Sequence, residues 1–315
     1  MASLFMTNSN CTLQPFDLAS ESDYQHWRTV KLSDYNAVAG DLIVPVKDIA
    51  ALTEKEHATI LDRCCRTNMV VYEVTGTGQA GKQAIRLLGK QFGLETLDTN
   101  LRADEDSITS LRVVEAGAGT HYIPYTNRPL NWHTDGYYNR LDQQVRAIVM
   151  HCVSASASGG DNLLLDPEIA YLLLRDENPS YIKALMQPGA MTIPANIEAG
   201  IELRPAQSGP VFSIEPASGA LHMRYTARTR SIEWKDDENT RQAVEFLGEL
   251  LASDSVYILR QRLDAGQGII CNNVLHKREA FADDATAGQE RLLYRARYHE
   301  RIRCTDMKNR MNAGV

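Results

Sequence analysis

The residues best placed to do chemistry together lie in Asn131-Trp132-His133-Thr134-Asp135-Gly136. On an extended segment successive side chains point to opposite faces, so His133 and Asp135 share one face and Thr134 takes the other. An imidazole nitrogen and a carboxylate oxygen on one face are two ligands for a metal ion. A second imidazole would complete a two-histidine, one-carboxylate set, the donor set of non-haem Fe(II) sites that keep open positions. His276 is the candidate. It closes Gly268-Ile269-Ile270-Cys271-Asn272-Asn273-Val274-Leu275-His276, an apolar strand followed by an Asn pair.

A second pattern follows in Arg291-Leu292-Leu293-Tyr294-Arg295-Ala296-Arg297-Tyr298. A period of two puts Arg291, Arg295 and Arg297 on one face with Leu293. Two readings are open. In one, Leu292, Tyr294, Ala296 and Tyr298 face the core and the arginines are solvated, because arginine is seldom fully buried without a partner. In the other, the arginines form an inward cationic row that requires buried anions. A dicarboxylate and an anionic substrate would supply these through bidentate guanidinium–carboxylate bonds.

His133-x-Asp135, then His276, then Arg291-x-x-x-Arg295 resembles the taurine dioxygenase / clavaminate synthase-like superfamily of Fe(II)/2-oxoglutarate-dependent oxygenases. Gly159-Gly160-Asp161-Asn162 matches that family's Gly-Gly-Asp-Thr element, and the resemblance runs from about residue 110 to 300. Within it, the stretch Gly159 to Leu165, Met223-Arg224-Tyr225 and Asn272-Asn273 look most like the glutarate hydroxylase branch. The resemblance implies His133, Asp135 and His276 as the facial triad. It implies Arg291 as the residue on the distal carboxylate of 2-oxoglutarate and Arg295 as the one for an anionic substrate, with the reverse assignment also open. Asn162 stands where the family has Thr as a second contact to 2-oxoglutarate; an amide can still donate there. Related halogenases have Gly or Ala in place of Asp135, so hydroxylation, or oxidative cleavage following it, is implied over halogenation, with succinate and CO2 as co-products. Candidate substrate-binding residues are Tyr122, Tyr125, Tyr137 and Arg224, with His121, Asn127, Tyr138, Arg228 and Arg230 nearby. Arg224 stands out because an isolated charge in a strand needs a partner. An organic acid, amino acid or sulfonate fits this arginine supply, and a quaternary ammonium in an aromatic cage stays open.

Two other function classes also fit part of the pattern. A Zn-dependent hydrolase on a His2Asp site would need neither the arginine pair nor Asn162. A non-catalytic ligand-binding protein of the same fold would not need an intact triad. The acidic balance, net −7 over 315 residues, argues against a dedicated nucleic-acid binder, since phosphate contact wants a basic surface. No apolar run approaches the ~20 residues that span a bilayer. Met1 to Asn10 lacks a basic region followed by an apolar core, so no secretory signal is expected. The six cysteines, Cys11, Cys64, Cys65, Cys152, Cys271 and Cys304, show no C-x-x-C spacing and read as reduced thiols. The expected setting is cytoplasmic. The expected partners are a small-molecule substrate, 2-oxoglutarate and O2, without nucleic acid or membrane, and with homo-oligomerisation left open.

The elements that must position these residues are read as one domain, residues 1–105 a support layer and 106–315 the core. Residues 1–40 read as irregular. Thr53-Glu54-Lys55-Glu56 is a capping box opening a helix to about Arg66. Met69 to Val74 is a strand. Ile85, Leu88 and Phe92 are spaced for a helix over 80–92. Strands are expected at 110–116, 119–124, 144–153, 161–165, 211–215, 220–227, 256–262, 268–273 and 290–300. In 144–153 both faces are apolar, which predicts a central strand, with His151 a hydrogen-bonded core residue. Asp166-Pro167 and Asn178-Pro179 begin short helices, and Asp237 to Ala252 is another. Residues 188–210 read as a Gly- and Pro-rich loop. The resemblance implies a mainly β, double-stranded β-helix (jelly roll) core with flanking helices on one side, the inserts at 166–210 and 228–253 lying near its mouth.

Overall fold

A computed structural model describes residues 14–77, 80–99, 106–114, 122–227 and 232–306. His121, Arg228, Arg230 and Cys11 lie outside the described residues. Two sheets form the body. The larger has the strand order Ile43–Val46, Met69–Val74, Gln267–Cys271, Ala147–Ser154, Leu292–Tyr298, Thr109–Leu111. The smaller has the order Leu259–Gln261, Asn162–Leu165, Leu275–Arg278, Leu130–His133. All pairings within them are antiparallel except that of the first two strands. This is the jelly-roll core.

Alternation along the large sheet sorts its side chains into two cores. Met69, Val71, Ile148, Met150, Ile269 and Leu293 join one apolar cluster with Leu163 to Leu165 and Leu275 of the small sheet. Their neighbours Val70, Tyr72, Ala147, Val149, Ile270, Ala296 and Tyr298 join the other, beneath helices. That is why the central strand reads as apolar on both faces. It also decides the arginine strand. Its outer residues Ala296 and Tyr298 pack under helices, so Arg291, Arg295 and Arg297 turn inward and are 6%, 8% and 3% exposed.

Among the described residues six α-helices accompany the sheets. α1 is Glu21–Val38, α2 is Glu54–Thr67 and α3 is Lys82–Gln91. α4 is Pro167–Glu177, α5 is Pro179–Leu185 and α6 is Glu238–Ala252. They divide into two groups rather than one: α2 and α3 cover the outer face of the large sheet. α4, α5 and α6 pack on one another, with α1 residues Tyr24 and Trp27 and nearby Phe16 in the same cluster. Residues expected to be irregular thus form α1. Its buried stripe is Tyr24, Trp27, Lys31, Tyr35 and Val38, at helical spacing. Lys31 hides the stripe in the sequence. Its charge is met inside by Asp166 at 2.6 Å and Glu168 at 2.8 Å.

Two further expectations change. Residues 123–125 form a short 3-10 turn, not part of a strand, with Pro124 unable to donate to a ladder. The supposed loop 188–210 contains a long hairpin. Met191–Ile193 pairs with Gln207–Gly209, and Asn196–Glu198 pairs with Ile201–Arg204. Ala199 and Gly200 turn it at φ of +51° and +78°.

Candidate metal centre

His133 and His276 are direct cross-strand neighbours in an antiparallel pair. Residues opposed in this way present their side chains on one face, and the two imidazole centroids are 4.2 Å apart. Asp135 follows two residues after His133, where the chain turns at Gly136. Gly136 has φ +67°, and a Cβ there would lie 2.6 Å from Val145 Cγ2. The ligand atoms of His133, Asp135 and His276 all lie within 4.8 Å of one another. The three residues are 6%, 5% and 9% exposed.

The hydrogen bonds suit this group to a cation. His133 Nδ1 lies 2.8 Å from the Asn131 carbonyl and His276 Nδ1 lies 2.9 Å from the Val274 carbonyl. A carbonyl only accepts, so each Nδ1 carries a proton and Nε2 is the ring nitrogen left to serve as a ligand atom. Burial, then the neighbouring His133, push His276 down to about 4, leaving a neutral imidazole. Burial alone would raise the Asp135 carboxyl. Arg295, His133 and Arg297 outweigh it and hold the group well below the usual carboxylate range. Among the described residues Asp135 Oδ2 is buried and accepts no hydrogen bond. Two imidazoles and one carboxylate match the donor set of non-haem Fe(II).

Asn273 holds the two halves of the group in register, a role that sequence reasoning missed. Its Oδ1 accepts from the Asp135 N–H at 2.8 Å, and its Nδ2 donates to the carbonyls of Asp135 at 2.9 Å and Val145 at 2.6 Å. It adopts φ +48°, the left-handed region that Asn tolerates better than most residues. Thr134 braces the other side, its hydroxyl accepting from the Tyr225 N–H at 3.1 Å and its own N–H donating to the Tyr225 carbonyl at 3.0 Å.

The inward arginines differ in what they meet. Arg295 Nη1 is 3.0 Å from both Asp135 oxygens, so this guanidinium steadies the candidate ligand. Arg297 pairs with Asp98 and donates to the Tyr138 hydroxyl at 3.0 Å. Arg291 faces no carboxylate at ion-pair distance among the described residues. Its Cζ lies 5.0 Å from the Phe281 ring centroid, and burial pushes it to about 10, so it stays charged. Arg278 covers the same ring, its Cζ 4.9 Å from the centroid. Sequence reasoning did not single out Arg278, although it lies two residues beyond His276 and so on the same face. Its Nη2 donates to the Thr126 carbonyl at 2.8 Å, and both terminal nitrogens reach carbonyls of the 123–128 segment. That contact ties the turn bearing Tyr122 and Tyr125 to the His276 strand.

The remaining expected site residues fall as follows. Asn162 sits opposite Arg278 in the strand pair and donates to the Gln261 carbonyl at 3.2 Å, which leaves one amide N–H. Tyr137 is buried beside Asp135 and stacks edge-on with Tyr138. Arg224, expected to bind substrate, meets the main chain. Its donors go to backbone carbonyls: Pro210 at 3.4 Å, Tyr137 at 3.3 Å, Gln207 at 3.2 Å, Gly209 at 3.2 Å, and Met191. A guanidinium has five N–H donors, so none is left to face a substrate. The isolated charge did need partners, and the main chain supplies them. His151 lies in the core with Nδ1 3.1 Å from the Tyr72 hydroxyl.

The sequence profile of the taurine catabolism dioxygenase TauD, TfdA family matches residues 43–297. A uridine-5'-phosphate dioxygenase from Amycolatopsis sp. is 30% identical over 181 residues, 56% of this chain and 62% of that protein. A second, from Streptomyces sp., is 28% identical over 232 residues, 71% of this chain and 81% of that protein. The chain thus spans less than two thirds of the first relative's length and more than two thirds of the second's. Among solved structures, the non-heme iron oxygenase OrfP in complex with Fe and alpha-ketoglutaric acid superposes with a TM-score of 0.58 at 14% identity, covering 86% of this chain and 90% of that one. That likeness is one of fold.

Proposed function

This chain belongs to the taurine catabolism dioxygenase TauD, TfdA family, and from that premise we propose that it is an Fe(II)/2-oxoglutarate-dependent oxygenase that hydroxylates a C–H bond of a small anionic metabolite. The names of its two curated relatives make uridine 5'-phosphate the first substrate to test. The observation that carries the reading is a buried two-histidine, one-carboxylate group whose ligand atoms all lie within 4.8 Å of one another.

In this reading His133 and His276 offer Nε2 and Asp135 offers a carboxylate held ionised by Arg295. Three protein ligands leave three octahedral positions open. Fe(II) bound there, with 2-oxoglutarate and O2, supplies the oxidation of the substrate C–H, with succinate and CO2 as co-products. Arg291 is assigned to the distal carboxylate of 2-oxoglutarate, because Arg295 and Arg297 already face Asp135 and Asp98. The remaining amide N–H of Asn162 is the assigned second donor. Tyr122, Tyr125 and Tyr137 are assigned to the walls that hold the substrate carbon and exclude water. Arg224 is reassigned to holding the chain around the base of the 191–209 hairpin.

The test is succinate formation from 2-oxoglutarate with Fe(II) and O2, with and without uridine 5'-phosphate. The expected result is stimulation by the nucleotide and loss of turnover in His133→Ala. Under anaerobic conditions a visible band is expected when 2-oxoglutarate is added to the Fe(II) protein. A protein purified with stoichiometric zinc, showing no band and no succinate, would overturn the reading in favour of a hydrolase.

A further inference from the structure

The hairpin spanning residues 191–209 has two unequal halves. Its base, Met191–Ile193 with Gln207–Gly209, is pinned by Arg224, which donates to the Met191, Gln207 and Gly209 carbonyls. Its outer half, Asn196–Glu198 with Ile201–Arg204, pairs only with itself among the described residues. Ile197 and Ile201 on it are 62% and 64% exposed. Pro194 and Pro205 lie between the halves, one on each strand. Neither has an N–H to donate, so the ladder is broken on both sides at one level.

Arg204 sits at that break. Its Nη2 donates to the Pro194 carbonyl at 2.6 Å and its Nη1 to the Pro205 carbonyl at 2.8 Å. Its Cζ lies 5.9 Å from the Tyr138 ring centroid. Tyr138 is three residues beyond Asp135, and its hydroxyl accepts from Arg297. Among the described residues Arg204 has no carboxylate partner, and burial pushes it below the usual arginine range. The other arginines around the metal group are engaged: Arg295 and Arg297 with carboxylates, Arg278 and Arg224 with carbonyls, Arg291 assigned to the cosubstrate.

Resting on the oxygenase reading above, we propose that Arg204 is the specificity-determining residue that binds the substrate's phosphate, and that the outer hairpin, hinged at Pro194 and Pro205, carries it over the metal group. A phosphate oxygen is a stronger acceptor for a guanidinium than the two proline carbonyls, because the bond is charge-assisted on both sides. The exchange therefore favours the loaded state. A substrate without an anion gains nothing from it.

The experiment is anaerobic calorimetric titration of the protein loaded with Fe(II) and 2-oxoglutarate. The titrants are uridine 5'-phosphate, uridine and inorganic phosphate, for wild type, R204Q and R204K. Expected is tighter binding of the nucleotide than of uridine by wild type. R204Q should weaken the nucleotide by roughly 30- to 100-fold, with no change for uridine or in the affinity for 2-oxoglutarate, and R204K should recover part. R204Q that binds the nucleotide like wild type overturns the proposal. So does R204Q that weakens nucleotide and uridine alike, because that marks a clamp on the hairpin only. Nucleotide binding that depends on Arg204 without aerobic succinate formation upholds the phosphate site and overturns the oxygenase reading. Succinate formation that is indifferent to R204Q does the reverse. A wild type that binds neither nucleotide nor phosphate overturns the phosphate site.

Discussion

Replacing Asn273 by Gly separates what holds the metal group together from what merely fills space. The substitution leaves the Asp135 N–H without its acceptor and the Asp135 and Val145 carbonyls without a donor, all three inside the protein. A buried polar group left unpaired costs about 1–3 kcal/mol, and carbonyls at the low end of that range bring the sum to about 3–5 kcal/mol. Gly accepts φ +48° freely, whereas Asn273→Ala adds ~1 kcal/mol for a Cβ in the left-handed region. Denaturant unfolding of the metal-free protein should therefore rank wild type, Gly, Ala. The second effect is specific to the site. The staple fixes the Asp135 backbone against the strand that carries His276, so its loss should lower Fe(II) affinity by about 10- to 100-fold, the usual scale for groups that orient metal ligands. Anaerobic calorimetry reads this directly. A Gly variant destabilised as calculated but binding Fe(II) like wild type would refute the reasoning and reduce Asn273 to a fold-holding residue.

Arg291→Gln should raise the dissociation constant for 2-oxoglutarate by about 30-fold or more while leaving Fe(II) binding intact. It should destabilise the metal-free protein little, because it removes a desolvated charge that has Asp283 nearby but no carboxylate at ion-pair distance among the described residues. Thermal scans and cosubstrate titration check the two halves. Arg224→Met should do the opposite, taking a donor from each of five carbonyls and lowering stability by roughly 5 kcal/mol or more, with substrate KM unchanged at temperatures where the variant is folded. For pH, His151 is the group to follow. Burial pushes it down to about 4, from 6.5 when exposed, so the unfolded chain takes up the proton first. The stability it withholds is absent above pH ~6.5 and grows as a penalty while pH falls toward 4, reaching about 3 kcal/mol. His151→Gln should flatten that acid limb, measured by urea unfolding from pH 7 to 4. An unchanged slope would contradict the assignment.

Local pattern made much of this fold legible. The capping box at Thr53 and the proline starts of α4 and α5 act within a few residues, and the helices begin there. The His133–Asp135 pair was visible because the i, i+2 geometry of an extended chain is local. His276 was not readable from its surroundings, since its position opposite His133 is a property of strand pairing. α1 escaped because its stripe contains Lys31, whose partners Asp166 and Glu168 lie far along the chain. The partners of Arg224 were hidden for a related reason. Sequence shows a charge without a partner nearby, but carbonyl acceptors are present at every residue and only folding gathers five of them.

The arginines show why residue type and period do not assign a role. Arg295 and Arg297 lie on one face of the strand Leu292–Tyr298, Arg291 immediately precedes it, and the three are almost equally buried. What separates them is the group each one meets. A guanidinium against a carboxylate in the interior is matched within the protein, and removing either partner strands the other. A guanidinium with most of its donors on carbonyls is solvated by the main chain and fixes loops, whereas Arg204, with two of its five donors on carbonyls, can still take an anion. A buried one that meets no acceptor keeps a desolvation cost that only an incoming anion can offset. By that criterion Arg295 belongs to Asp135, Arg297 to Asp98, and Arg278 and Arg224 to the segments they cross-link. Arg291 is then the residue whose burial calls for a ligand. Adding 2-oxoglutarate to the Fe(II) protein should raise its melting temperature, and Arg291→Gln should abolish most of that rise while the rise produced by Fe(II) alone persists. If Arg295→Gln instead removed the 2-oxoglutarate increment and spared Fe(II) binding, the pairing with Asp135 would not determine function, and the assignment of the two arginines would have to be exchanged.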